Sequence, residues 1–183
     1  AVGVRLSVMM FLEFFVWGAW YVSVGNFMGA HGMGDGIFWA YTVGPIAAIV
    51  SPFFLGMIAD RFFATERVLG AMHLLGGVLM AAAPWVARQQ ANGQYWPFVG
   101  VLAAHMLCYM PTLGLTNTLA FHPVTNAEKQ FPIIRVFGTI GWIAANWVVS
   151  EVFHADTTDQ QFYITAAAGV ALEPTTWFWM AER

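Results

Sequence analysis

Residues 4–28 read VRLSVMMFLEFFVWGAWYVSVGNFM, an apolar run interrupted by only two charged side chains, Arg5 and Glu13. A helix needs about 20 mostly apolar residues to cross the roughly 30 Å hydrocarbon core of a bilayer. This run is long enough to span, and it is too long and too closely followed by further apolar runs to be a cleaved signal peptide. Working outward, comparable runs recur at 37–59, 67–87, 96–121 and 132–153, and a sixth apolar segment begins near Gln161. The expected fold class is all-α, a polytopic transmembrane helix bundle with five clear spans and a sixth.

Composition points the same way. Of 183 residues, 59% are hydrophobic and 9% are charged, where a soluble domain carries about 25% charged residues. Too few charges remain to cover a water-facing surface. The net charge of -3 comes without a basic patch, which excludes nucleic acid as an expected partner. A single cysteine, Cys108, excludes an intrachain disulfide and reads as a buried structural thiol.

The connections at 29–36, 60–66, 88–95, 122–131 and 154–160 are short and rich in turn residues. Short connections force neighbouring helices to pack antiparallel, so residues 1–183 are expected to form one bundle. Arg5, Arg61, Arg67 and Lys129 fall on one side of the spans, joined by Arg183 if the sixth crosses, against Arg88 alone on the other. The excess of cations on cytoplasmic loops then puts both termini in the cytoplasm. The tail at 173–183 fits least well: Glu173 and Pro174 interrupt the last apolar segment, and a Glu-Pro pair is expected to break or kink a span. Trp85, Tyr95, Trp96, Phe131, Phe153 and Trp177 lie near expected span ends, as an interfacial belt would.

Function is expected at the polar groups that a membrane penalises. A charged side chain at the bilayer centre costs about 2.5–3.5 kcal/mol on insertion scales, so each needs a partner or a cavity. Glu13 lies inside the first span, either as a titrating or substrate-contacting carboxyl or as a neutral group hydrogen-bonded in the bundle. His73 reads as a core histidine or as polar lining of a pathway, and His105 as a hydrogen-bonded core residue. No metal is expected, because neither imidazole has a second ligand at metal spacing. Pro111 and Gly114 in YMPTLGLTNT mark a helix kink, with Thr112, Thr116 and Asn117 supplying polar groups beside it.

In FPIIRVFGTIGW, Arg135, Thr139 and Trp142 stand at intervals of four and three and so share a helix face. Arg135 cannot shed its charge. Lying about one turn inside the expected span, it could also snorkel to the interface. A guanidinium, a hydroxyl and an aromatic ring together suit a polar planar ligand. Gly138 and Gly141 on the adjoining stripe allow a neighbouring backbone to come close. At the end of the second span, GMIADRFF sets Gly56 four residues before the Asp60-Arg61 pair, where the carboxylate could simply cap the helix.

These segments resemble the amino-terminal half of a major facilitator superfamily transporter, and specifically the bacterial nucleoside:proton symporter family. The run from Gly56 to Arg61 is similar to the superfamily's loop motif, while FLEFFVWGAW, YMPTLGLTNT and FPIIRVFGTIGW resemble the narrower family over residues 6–150. The resemblance implies half of a major-facilitator fold, an inner-membrane location, a nucleoside substrate, a proton as coupling ion and no cofactor. It further implies that Arg135, Thr139 and Trp142 line the nucleoside site and that Gly56, Asp60 and Arg61 serve the gate. Glu13 stands where the family is expected to have an amide. A second six-helix half or other membrane subunits would be the partner, since alternating access needs two bundles around one site. The competing expectation is a transport-inactive accessory subunit of a larger membrane complex. An enzyme is not expected: the sequence has no paired-histidine metal motif, nucleophile elbow or Ser/His/Asp grouping.

Overall fold

The computed structural model describes the backbone of residues 2–62, 65–90, 93–121 and 126–180 and, within these, the side chains of 3–53, 65, 67–90, 93–121, 126 and 128–172. The described residues are mostly helical: α1 (Val2–Tyr21), α2 (Val24–Ala30), a 3-10 turn (Gly34–Gly36), α3 (Ile37–Phe62), α4 (Thr65–Arg88), α5 (Trp96–Phe121), α6 (Ala127–Trp147) and α7 (Gln160–Met180). One turn of π-helix, Val148–Val152, extends α6. Among the described residues, five stretches are long and apolar enough to cross a membrane: Gly3–Ala30, Gly34–Phe53, Arg67–Arg88, Trp96–Phe121 and Glu128–Val152.

The packing buries one side of each helix and leaves large apolar groups on the other. Leu6, Met10, Trp20, Phe27, Phe98 and Phe162 are fully buried. Phe38, Ile49, Phe53, Ile133 and Ile143 are exposed. In water such a surface would aggregate; against acyl chains it is the expected exterior. Trp85, Trp96 and Phe153 are exposed as well, which suits the interfacial positions read for them.

Helix α1 packs against α6 and α7, α4 against α5 and α7, and α3 against α5. Small residues set these distances, as in most membrane bundles. At Gly141 on α6 the backbone of Phe11 is so close that a Cβ would collide with it, and a Cβ at Gly18 would lie 3.0 Å from the Trp142 carbonyl oxygen. Outside the apolar region, Arg88 at the end of α4 pairs with Asp159 just before α7.

Three expectations need correction. The first span is not one helix: α1 ends at Tyr21 and α2 begins at Val24. Broken helices survive in lipid only where other groups take up the freed backbone. Here the Tyr41 hydroxyl does so, donating to the Val22 carbonyl at 3.2 Å and accepting from the Gly25 N–H at 3.3 Å. The converse holds in α3, where Pro45 cannot donate to the carbonyl of Tyr41, and the Tyr21 hydroxyl donates to that carbonyl at 3.3 Å. Buried Ser23, in the break itself, donates to Gln161 on α7 at 3.2 Å.

Helix α6 starts at Ala127, not near residue 132, because the Asn126 side chain caps it by accepting from the Lys129 N–H. Arg135 therefore sits about two turns inside the helix rather than one. Finally, the backbone of α7 stays helical through Glu173 and Pro174 to Met180. A helical proline forfeits only its own N–H bond and crowds one carbonyl, so it need not end a helix held by neighbours.

Candidate functional site

Two polar regions stand out, one open and one closed. The open one begins with Phe14, Trp17 and Tyr21, which recur at intervals of three and four along α1 and so form a stripe. Trp17 meets Trp142 of α6 edge-on at 5.1 Å, Tyr109 of α5 at 5.9 Å and Tyr21 at 5.5 Å. Tyr21 in turn meets Tyr41 of α3 at 5.3 Å. Trp17, Tyr21, Tyr41 and Trp142 are only partly buried, so the cluster presents aromatic surface along a wall drawn from α1, α3 and α6.

Arg135 joins this wall. Its guanidinium carbon lies 4.1 Å from the centre of the Phe14 ring, an arrangement in which the ring's quadrupole stabilises a cation that cannot be neutralised. Arg135 remains partly exposed, so some of its five donors are free to meet a ligand. Trp142 lies on the same side. Thr139 is exposed and contributes the outer edge, since about 100° per residue turns it roughly 60° away from Trp142 around the axis. Gly138 and Gly141 are buried against α1, the close approach expected of them.

The closed region is a polar cluster in the core. Glu13 is fully buried. The Thr112 hydroxyl donates to its Oε1 at 2.5 Å, the Thr116 hydroxyl to its Oε2 at 3.3 Å, and the Tyr109 hydroxyl to its backbone carbonyl at 2.6 Å. His73 of α4, also buried, places Nε2 2.9 Å from Glu13 Oε2. That is ion-pair distance, although the ring is off the line of a well-formed N–H···O bond. Glu13 and His73, read separately from the sequence, thus form one pair across α1 and α4. His105, stacked on Tyr109 and met edge-on by Trp20, uses Nδ1 to reach the Gly76 carbonyl at 3.0 Å, the core hydrogen bond expected of it.

The kink pair divides. Pro111 is buried within a continuous α5, and Gly114 is exposed with open space beside it. Gly56, Asp60 and Arg61 belong to the last turns of α3, but their side chains lie outside the described residues. Cys108 is buried. No group of three or more His, Cys, Asp or Glu side chains at metal-binding separation occurs among the described residues.

Sequence reasoning missed Trp17, Tyr21 and Tyr41 as members of the wall and Tyr109 as the buried ring of α5 behind Trp17. The stripe on α1 was a readable signal, but aromatic spacing alone does not separate a lined cleft from core packing.

Comparison with known proteins bears on the family and the fold. The family model described as "Nucleoside H+ symporter" matches residues 1–179. The putative nucleoside transporter YegT of Escherichia coli K12 is 45% identical over 142 residues, covering 77% of this chain and 32% of that protein. The xanthosine permease of the same organism is 35% identical over 94% of this chain and 41% of its own length. Its nucleoside permease NupG is 34% identical over 92% of this chain and 40% of its own length. The chain thus spans less than half the length of these relatives. A crystal structure of the nucleoside transporter NupG superposes with a TM-score of 0.85 and 29% identity, covering 97% of this chain and 44% of that one. With its helical membrane bundle and a family match over nearly all its length, this chain belongs to the nucleoside H+ symporter family.

Proposed function

We propose that residues 1–183 act as the amino-terminal six-helix bundle of a transporter that carries nucleosides across the cytoplasmic membrane by proton symport with alternating access. Arg135, Thr139 and Trp142 line the nucleoside site from this half, with Trp17 and Tyr21 completing the wall. The observation that carries the reading is Arg135, about two turns inside α6, partly exposed and held on the Phe14 ring beside Trp142. A nucleoside offers a flat base and a hydroxyl-rich sugar. Its base suits aromatic faces, and its carbonyl and hydroxyl oxygens suit a fork of guanidinium donors. Permease and transporter relatives named for nucleosides and xanthosine support the same substrate class.

In this account the other side of the site comes from a second six-helix half, and the two rock about the ligand. Gly56, Asp60 and Arg61 act in the gate, and the termini lie in the cytoplasm. Uptake of a labelled nucleoside into cells lacking their own nucleoside transporters tests the proposal, using the complete reading frame. The expected result is uptake that Arg135→Ala abolishes; normal uptake by that variant would remove Arg135 from the site.

A further inference from the structure

We propose that Glu13 and His73 form a proton-binding unit within this bundle, in which the proton on Glu13 sets which acceptor the Thr112 hydroxyl serves; it rests on the symport reading above. The case begins with an imbalance of protons. The Thr112 hydroxyl stands 2.5 Å from Glu13 Oε1 and 2.5 Å from the Tyr109 carbonyl oxygen, yet a hydroxyl has one proton to donate. The carbonyl can only accept. Each acceptor has a full hydrogen bond at the same time when a second proton sits on Glu13; otherwise the one hydroxyl proton is shared or alternates between them.

Two states follow from the same geometry. With a proton on Oε1, Glu13 donates to Thr112, and Thr112 donates to the Tyr109 carbonyl one turn back on α5. Without it, Thr112 turns its proton to the carboxylate, Thr116 still donates to Oε2, and the Tyr109 carbonyl loses its side-chain partner. His73 Nε2, 2.9 Å from Oε2, then faces an ionised partner and supplies the opposite charge when it is protonated. The step is simple proton uptake by a carboxylate, so atoms and charge balance without a co-reactant.

The outer edge of His73 borders a small internal cavity. Its Nδ1 is buried without a partner among the described residues, and the ring lines a cavity of about 10 Å³ together with Val16, His105, Tyr109 and Thr165. That is near the room one water needs, and polar groups border it. His105 Nε2 is likewise buried and unpaired. Of the titratable or charged groups on the surrounding helices, α5 presents His105 and Tyr109, with Cys108 near Gly76. Helix α6 brings Arg135, on the Phe14 ring, and α7 presents the neutral Thr165. Because Glu13 is fully buried and turned to Thr112, Thr116 and His73, it is closed to the nucleoside wall. Its proton acts on the joint between α1, α4 and α5.

The test uses the complete reading frame reconstituted in liposomes, comparing the native protein with Glu13→Gln and His73→Asn. Two modes are read: nucleoside exchange at equal pH, and accumulation driven by an inside-alkaline pH gradient. The expected outcome for Glu13→Gln is a fall of at least about tenfold in the ratio of accumulation to exchange, with His73→Asn shifting the pH dependence of accumulation. Accumulation by Glu13→Gln at the native ratio overturns the proposal. If Glu13→Gln loses both modes, infrared spectra of the purified proteins decide: a protonated-carboxyl band that titrates in the native protein and vanishes in Glu13→Gln upholds the site, and the same band in both overturns it. Should the native protein carry no nucleoside in either mode, the nucleoside reading fails, while the infrared comparison still judges the proton site.

Discussion

The guanidinium of Arg135 lies over the Phe14 ring, 4.1 Å from its centre, so the first and fifth membrane-spanning segments meet at a cation–aromatic contact. A charge that cannot be neutralised is thereby held on an aromatic face while remaining partly exposed. Cation–π contacts are worth about 0.5–2 kcal/mol depending on desolvation.

Phe14→Leu should therefore loosen Arg135 without unfolding the bundle. The expected outcome is nucleoside affinity weakened by about threefold to thirtyfold, with Phe14→Tyr close to native. Competition binding on the purified protein checks it. Equal affinities for the native protein and Phe14→Leu would show that the ring does not position the guanidinium.

Tyr41→Phe removes both bonds at the break in the first segment, to the Val22 carbonyl and from the Gly25 N–H. One bond is exposed and the other partly buried, so each contributes about 0.5–1.5 kcal/mol. Amide exchange at Gly25 should speed up and thermal stability should fall. Unaltered exchange at Gly25 would mean that another group satisfies the break.

Gly141→Leu forces a side chain into the backbone of Phe11. Overpacking of this kind costs about 1–3 kcal/mol, so the melting temperature of the detergent-purified protein should drop. Gly100, with nothing near its Cβ position, is the control. Gly100→Ala should leave the melting temperature level or raise it slightly. A Gly141→Leu protein as stable as that control would contradict the close α1–α6 packing.

Much of this was legible in the sequence, and the remainder has physical reasons for staying hidden. Span length and hydropathy are local properties, so five crossings and the penalised Glu13, His73 and Arg135 could be read directly. The pairing of Glu13 with His73 could not, because it joins residues 60 positions apart and depends on how α1 and α4 pack. The break at Val22 and Ser23 was masked for the same reason: Tyr41 and Gln161, which satisfy it, lie on other helices. The start of α6 was placed late because its signal is one asparagine cap within a polar connection. Thr139 shares a face with Arg135 on a helical wheel, but the wheel does not tell which edge of that face α1 covers.

Orientation can be checked with single cysteines on a Cys108→Ser background. A cysteine replacing exposed Thr157, between α6 and α7, should react with an impermeant maleimide in intact cells. One replacing exposed Asn126 should react only after permeabilisation. The opposite pattern would invert the assignment of the cation-rich side to the cytoplasm.

Equilibrium binding of a labelled nucleoside to the purified product of the complete reading frame, native against Arg135→Ala, tests the site most directly. Saturable binding that other nucleosides displace and free ribose does not is predicted for the native protein, weakened by about ten- to a hundredfold in Arg135→Ala, as loss of charge-assisted hydrogen bonds implies. Equal binding by the two proteins would contradict the account.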